Sequence, residues 1–193
     1  MKKSICFIVI GSILCLSAVC LYGYNEINAY RAAQNASKLL RTLEEDMLAN
    51  SQQQIKADEE DGVMASQIVD GLEIVGVISL PTVGIELPVA ARWNYDNLQK
   101  SACRYSGTAK DGRLIILAHN YRRHFGRLEN VQKGDIVQFL DVNGNLYQYI
   151  VSEMVILGQN ELDTLTESNS DLTLFTCTYS GQRRIVVRCQ KQV

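Results

Sequence analysis

Three residues of chemically useful type stand beside apolar runs. His119 comes directly after Leu114–Ala118 (LIILA), Cys177 directly after Leu172–Thr176 (LTLFT), and Arg184 opens the run Ile185–Cys189 (IVVRC). A thiol is the only strong nucleophile among them with a usable thiolate fraction near neutral pH. A histidine beside it can protonate a leaving amine or help generate the thiolate. An arginine holds its proton, but it can bind a carbonyl oxygen or stabilise a developing oxyanion. Together the three describe acyl transfer through a thioester. Two neighbours compete for the same roles. His124 is a second histidine for the base, and Arg183 is a second arginine. Adjacent strand residues face opposite sides, so only one arginine can point toward the thiol. The sequence does not choose the face.

The rest of the composition narrows the field. The chain has 193 residues, with 19 Lys and Arg against 21 Asp and Glu, a formal net charge of -2. That balance argues against a highly basic nucleic-acid binder. No phosphate-binding loop, DNA-reading helix or redox-cofactor motif stands out. With two histidines and no C-x-x-C pair, the six cysteines offer no zinc-finger spacing. No metal or cofactor is expected. Glu161, Asp163, Glu167 and Asp171 are close in sequence, but they read as a solvated loop rather than a calcium site. Cys103 and Cys189 are a candidate disulfide, since both lie in the same segment beyond the apolar N-terminus.

Those reactive residues need elements to hold them, and the pattern after Gly71 is β. Apolar runs occupy Ile74–Leu80, Leu114–Ala118, Ile136–Leu140, Leu146–Ile156, Leu172–Thr176 and Ile185–Cys189. Gly134-Asp135 is a turn signal before the third run, and Asn143-Gly144 between the third and fourth is a strong hairpin signal. Pro81 and Pro88 belong at turns or strand edges. Short helical turns are expected at Leu98–Cys103 and Leu162–Thr166. No long helical pattern interrupts the strands, so a closed or nearly closed barrel fits better than a βαβ sheet.

The N-terminus differs in kind. Ile5–Tyr24 is twenty residues without a charge. At ~1.5 Å per residue such a helix spans roughly 30 Å, the thickness of a bilayer core. Lys2 and Lys3 precede it and no basic residue follows until Arg31, which places the N-terminus in the cytoplasm and the remainder outside. The rival is a cleaved signal peptide. The run is long for one, and no A-x-A site follows it closely. Beyond it, Ile27, Tyr30, Ala33, Ser37, Leu40, Leu43 and Met47 recur at helical spacing, a thin stripe on a juxtamembrane stalk. Asp58–Asp61 reads as an acidic linker. The expected division is 1–24 for the tail and anchor, 25–70 for the stalk and linker, and 71–193 for the domain that carries chemistry.

Several motifs in this domain resemble those of the sortases, membrane-anchored cysteine transpeptidases of Gram-positive bacteria. LAHNYRRHFGRL, residues 117–128, resembles the family's strand, histidine and Phe-Gly-x-Leu segment. LTLFTCTYSG, residues 172–181, is similar to its T-L-x-T-C signature, and RIVVRC, residues 184–189, to the Arg-x-x-Val strand that follows. VQKGDIVQF, residues 131–139, resembles a Gly-Asp turn into a strand. The resemblance covers roughly residues 72–193, behind an anchor and stalk of the usual kind. It implies an all-β fold: an eight-stranded sortase-type barrel with short helices in its loops, preceded by a transmembrane helix and helical stalk. It also implies a catalytic trio of His119, Cys177 and Arg184, with Thr176 lining the substrate site and Asn120 as a further polar contact. No cofactor is implied. The implied substrates are secreted proteins with a Leu-Pro-x-Thr-Gly-like sorting signal. The implied acceptor is an amine of a peptidoglycan precursor or a pilin. Residues 5–24 would sit in membrane lipid. The six residues between Cys177 and Arg184 resemble the short connection of a class B-like or unassigned member. A hydrolytic thiol peptidase and a noncatalytic anchored β-barrel that binds cell wall are the alternative readings.

Overall fold

The computed structural model describes residues 2–50, 64–158, 161, 163–166 and 169–192. The acidic run 58–61 and residues 162 and 167 lie outside this set. One unbroken helix, α1 (Lys2–Asn50), leads into nine strands. The strands are β1 (Gln67–Val69), β2 (Leu72–Leu80), β3 (Ile85–Ala90), β4 (Ala102–Ser106), β5 (Leu114–Leu117), β6 (Ile136–Asp141), β7 (Leu146–Gly158), β8 (Leu172–Cys177) and β9 (Arg183–Lys191). Two short helices interrupt them, α2 (Tyr95–Leu98) and α3 (Asp163–Thr166).

The sheet runs β1-β2-β3-β4-β5-β8-β9-β7-β6, and β6 pairs back onto β2. The eight strands β2–β9 therefore close into a barrel, and β1 is a short hairpin partner of β2 outside it. Closure leaves no long open edge for another chain to pair with. The seam is tight at Gly76. A Cβ there would lie 2.3 Å from the Leu140 carbonyl oxygen and 2.7 Å from the Phe139 ring. Only a residue without a side chain lets β6 approach β2 this closely.

The strands around the thiol are apolar on both faces because both faces are covered. Leu114, Ile116, Leu172, Leu174, Ile185, Val187 and Cys189 point into the barrel core. Ile115, Phe175 and Val186 point outward into a second cluster, capped by Leu165 of α3. This explains why LIILA and LTLFT read as continuous apolar runs. The hairpin β6–β7 alternates instead, with Val137, Phe139, Tyr149 and Val151 buried and Gln138, Gln148 and Ile150 outward. Its turn is fastened by Asp141, whose carboxylate accepts from the backbone N–H groups of Asn143 and Asn145.

Three strands were not expected from the sequence: β1, β3 and β4. Pro88 lies inside β3, opposite Val77 of β2. It is tolerated because β4 pairs with β3 only at Val89 and Ala90, so the proline faces an unpaired edge. The helical turn expected at Leu98–Cys103 falls earlier, at Tyr95–Leu98, where the Asn94 side chain caps the Asn97 N–H at 2.7 Å. Cys103 is already in β4.

Helix α1 packs on the barrel through Ala32, Ala33, Ala36, Leu39 and Leu43, all buried. Of the expected stripe, Ala33 and Leu43 are buried and Leu40 is half-buried against the same cluster, whereas Ile27, Tyr30 and Ser37 are exposed; the side chain of Met47 lies outside the described set. Ala32 and Ala36 fall outside the expected stripe, and the small size of all three alanines lets the helix backbone lie close against the barrel. Leu39 and Leu43 join Val69, Leu72, Ile74 and Val77 in a third cluster. Lys38 also meets Asp70 at 2.6 Å, an exposed pair that contributes little.

Gly76→Ala is expected to force the β2–β6 seam apart and lower stability by about 2–3 kcal/mol. Chemical denaturation of the two proteins, compared at equal m-value, checks this. A change within about 0.5 kcal/mol would mean that the seam relaxes freely.

Candidate active site

The register of β8 decides where the thiol points. Cys177 lies directly opposite Arg184 on β9, and Phe175 opposite Val186. On the other side β8 runs parallel to β5, with Leu117 beside Phe175. Phe175, Leu117 and Val186 belong to the outer cluster, so Cys177, His119 and Arg184 all fall on that outer face, at its open end. Arg183 sits one residue away on the opposite side of β9 and pairs with Gly158. The structure thus selects Arg184 over Arg183. Its guanidinium donates to the carbonyls of Gly181 at 3.0 Å and Arg183 at 3.1 Å, which ties it to the β8–β9 turn.

His119 is held by bonds on both sides of the thiol. The Thr176 hydroxyl donates to the Ala118 carbonyl at 2.8 Å, and the Asn120 side-chain amide donates to the Thr178 carbonyl at 3.1 Å. These two contacts bracket His119 on one strand and Cys177 on the other. Thr176 is itself buried, and its hydroxyl fastens β8 to the chain just beyond β5. Asn120 makes the equivalent link a step further out. His119 is half-buried, and desolvation holds its imidazole below the ordinary histidine value. The resting ring is therefore mostly neutral at pH 7.

The loop after β5 is folded back on itself. The backbone N–H groups of His124 and Gly126 donate to the Tyr121 carbonyl, and that of Phe125 donates to the His119 carbonyl. Phe125 is fully buried and anchors the loop in the core. Gly126 lets the turn close, because a Cβ there would lie 2.4 Å from the Asn120 carbonyl oxygen and 2.7 Å from that of Tyr121. Tyr121 lies against His119, ring centroids 4.7 Å apart, and meets His124 edge-on at 5.8 Å. Neither Tyr121 nor Gly126 was singled out from the sequence. The Phe-Gly pair after the histidine was the signal for Gly126.

His124 is not a rival base. It is fully buried, and neither ring nitrogen has a hydrogen-bond partner. Burial is the main influence and pulls its pKa down to about 4. The nearby Ala32 carbonyl of α1 opposes this weakly without forming a well-directed bond, and His119 adds a little repulsion.

A row of aromatic rings starts at Phe175, two residues before Cys177 on the same face of β8. Tyr105 of β4 meets Phe175 edge-on at 5.6 Å, Trp93 stacks on Tyr105 at 6.1 Å, and Tyr95 meets Trp93 edge-on at 6.4 Å. Trp93, Tyr95 and Tyr105 are exposed. The other two cysteines of the barrel are remote from this chemistry. Cys103 and Cys189 are free, buried in separate clusters, and burial pushes both thiols up to about 12. The disulfide considered between them is not formed. Cys15 and Cys20 are exposed on α1.

A closed β-barrel with a thiol, an imidazole and a guanidinium on three adjoining strands is the frame of a sortase. The sortase-domain family profile matches residues 78–192, and the chain belongs to the sortase family. It is 27% identical over 120 residues to sortase A of Bacillus anthracis, an overlap of 59% of this chain and 57% of that one. The chain thus matches little more than half of that relative's length. Among solved structures it resembles sortase C1 of Streptococcus agalactiae, with a TM-score of 0.59, 22% identity, and coverage of 81% of this chain and 89% of that one. It also resembles a Clostridium perfringens sortase D5 transpeptidase, with a TM-score of 0.58, 18% identity, and coverage of 85% and 99%. At these identities the structural likeness concerns the fold.

His124 gives a testable pH dependence of stability. Its folded-state pKa is below the unfolded value, so the unfolded chain takes up the proton first as pH falls. The stability it protects is fully present above about 6.5 and is lost as pH drops toward about 4, by on the order of 3 kcal/mol. His124→Leu is expected to flatten this slope in denaturation curves taken between those pH values. An unchanged slope would assign the acid sensitivity to other groups.

Proposed function

We propose that this chain is a membrane-anchored cysteine transpeptidase that cuts a C-terminal sorting signal and joins the released acyl group to an amine. Membership of the sortase family supports sortase-type transpeptidation in general. The observation that carries the detailed reading is the direct cross-strand pairing of Cys177 with Arg184, with His119 pinned beside them.

In this reading the Cys177 thiolate attacks the carbonyl carbon at the scissile bond of a Leu-Pro-x-Thr-Gly-like segment. Arg184 faces the oxygen on which negative charge develops. The C–N bond breaks, the leaving amine takes its proton from the His119 imidazolium, and the acyl group stays on sulfur as a thioester. An acceptor amine of the cell wall or a pilin then attacks. It gives its proton to His119, and the thiolate leaves. Because desolvation lowers the His119 pKa, the imidazolium is a minority form at neutral pH. The aromatic row that begins at the buried Phe175 on the Cys177 face of β8 continues through exposed Tyr105 to Trp93 and offers an apolar surface for the substrate's leucine and proline.

The anchor belongs to the same reading. The N-terminal helix is long and apolar enough to cross a membrane, and its apolar window is wholly unburied. Lys2 and Lys3 favour a cytoplasmic N-terminus and an extracellular barrel.

Intact-mass analysis of the full chain with a mixed sorting-signal peptide library tests the chemistry. The expected result is a mass increase on Cys177, absent in Cys177→Ala, that an added amine releases as an amide. His119→Ala is expected to slow acylation by about 10²-fold or more, and Arg184→Ala by about 10²-fold or more. Free acid as the sole product at high amine concentration would mark a peptidase. Unaltered peptides with every library member and acceptor would favour a binding module.

The folded-back loop yields a separate expectation. Gly126→Ala displaces the carbonyls of Asn120 and Tyr121 and hence His119, and is expected to slow acylation on the order of 10²-fold. Alkylation of Cys177 by a small neutral thiol reagent should still go to completion. Acylation at the parent rate would show that the loop absorbs the methyl group without moving His119.

A further inference from the structure

The contacts of α1 fix which end of the barrel lies nearest its apolar segment. Its uncharged run ends at Tyr24. The Tyr24 phenol is close enough to Tyr121 to oppose ionisation there, and the Ala32 carbonyl lies beside His124. Further along, Lys38 meets Asp70, and Leu43 packs in one cluster with Val77. Reading outward from Tyr24, the helix therefore meets the His119–Gly126 loop first and the start of the barrel later. At ~1.5 Å per residue, Tyr24 and Ala32 are separated by about 12 Å along the axis. The headgroup layer occupies roughly 5–8 Å beyond the hydrocarbon edge, and screening in salt extends to about 8 Å.

Arg122 and Arg123 lie between Tyr121 and His124 on this loop, and both are exposed. Among the described residues neither makes an ion pair or a side-chain hydrogen bond. On α1 at the same level, exposed Glu26 is balanced by exposed Arg31, so the loop's own charge stays uncompensated. The adjoining β8–β9 turn, tied to the loop through Asn120 and Thr178, carries a fully exposed Tyr179. Basic and tyrosyl side chains at this height are the chemistry of a bilayer interface.

We propose that the active-site end of the barrel rests on the phospholipid surface, with Arg122 and Arg123 against anionic headgroups. This rests on α1 being a membrane span. The orientation presents Cys177 to substrates at the bilayer surface, so a scissile bond would have to lie a short stretch of chain from the substrate's own membrane segment.

The test uses the full chain reconstituted in nanodiscs of phosphatidylcholine alone, or of phosphatidylcholine mixed with phosphatidylglycerol. Hydrogen exchange of residues 119–124 is followed by mass spectrometry. Exchange is expected to slow at least about threefold in the anionic discs. High salt and the double variant Arg122→Gln/Arg123→Gln should both abolish the slowing. Equal exchange in the two discs, or protection that survives the double variant, would overturn the placement. Protection by inorganic pyrophosphate in neutral discs, without any effect of anionic lipid, would also overturn it and assign the arginines to a phosphate-bearing ligand. Extraction of the chain from vesicles by alkaline carbonate would overturn the anchor itself. Retention without lipid-dependent protection would overturn only the seating of the loop.

Discussion

The register of β8 between β5 and β9 is the constraint on which the rest of the structure depends. A strand slipped by one residue turns each of its side chains to the other face. Here a slip would drive Cys177 into the core and put Thr176 in the groove. Several features prevent it. Leu172 and Leu174 need the inner cluster and Phe175 the outer one, so both faces resist a shift. The Thr176 hydroxyl finds the Ala118 carbonyl only in the observed register. A polar side chain buried without that bond would be costly. The direction of the Cys177 side chain is thus set by its neighbours on both faces of β8.

The same logic separates reactive groups from inert ones of the same type. Cys103, Cys177 and Cys189 share a functional group but differ in depth. Burial keeps two of them protonated, and the third stands at the rim. The two histidines divide likewise. His119 keeps partial contact with solvent beside the thiol, whereas His124 is sealed between the loop and α1. Four residues separate them in a loop that folds back on itself, with Gly126 packed against the Asn120 and Tyr121 carbonyls.

Much of this was legible in the sequence, and the exceptions have physical causes. LIILA and LTLFT announced their strands because double-sided burial demands apolar residues throughout. Asn143-Gly144 announced its hairpin because a tight turn needs that backbone freedom. The catalytic candidates were visible because they abut those strands. β3 was hidden by Pro88, which looks like a strand breaker until its unpaired edge is known. The choice between Arg183 and Arg184 required the cross-strand register, which no local pattern encodes. The packing face of α1 was misread because alanine carries little hydrophobic signal, although three alanines make the close contact.

That alanine face couples the barrel to the apolar N-terminal segment. A flexible stalk would let the barrel tumble at a range of heights and orientations above the bilayer. Here α1 continues without a break from Lys2 to Asn50, and its C-terminal half is packed against the barrel through residues between Ala32 and Leu43. With α1 as the proposed membrane span, the span and the barrel move as one body, and the same helix lies beside His124 through the Ala32 carbonyl. Orientation, depth and the fold of the histidine loop become a single property of one interface. Proximity of this kind raises the effective concentration of partners held in the same membrane. In that arrangement the small residues at 32, 33 and 36, which let the helix lie close, set the orientation of the barrel.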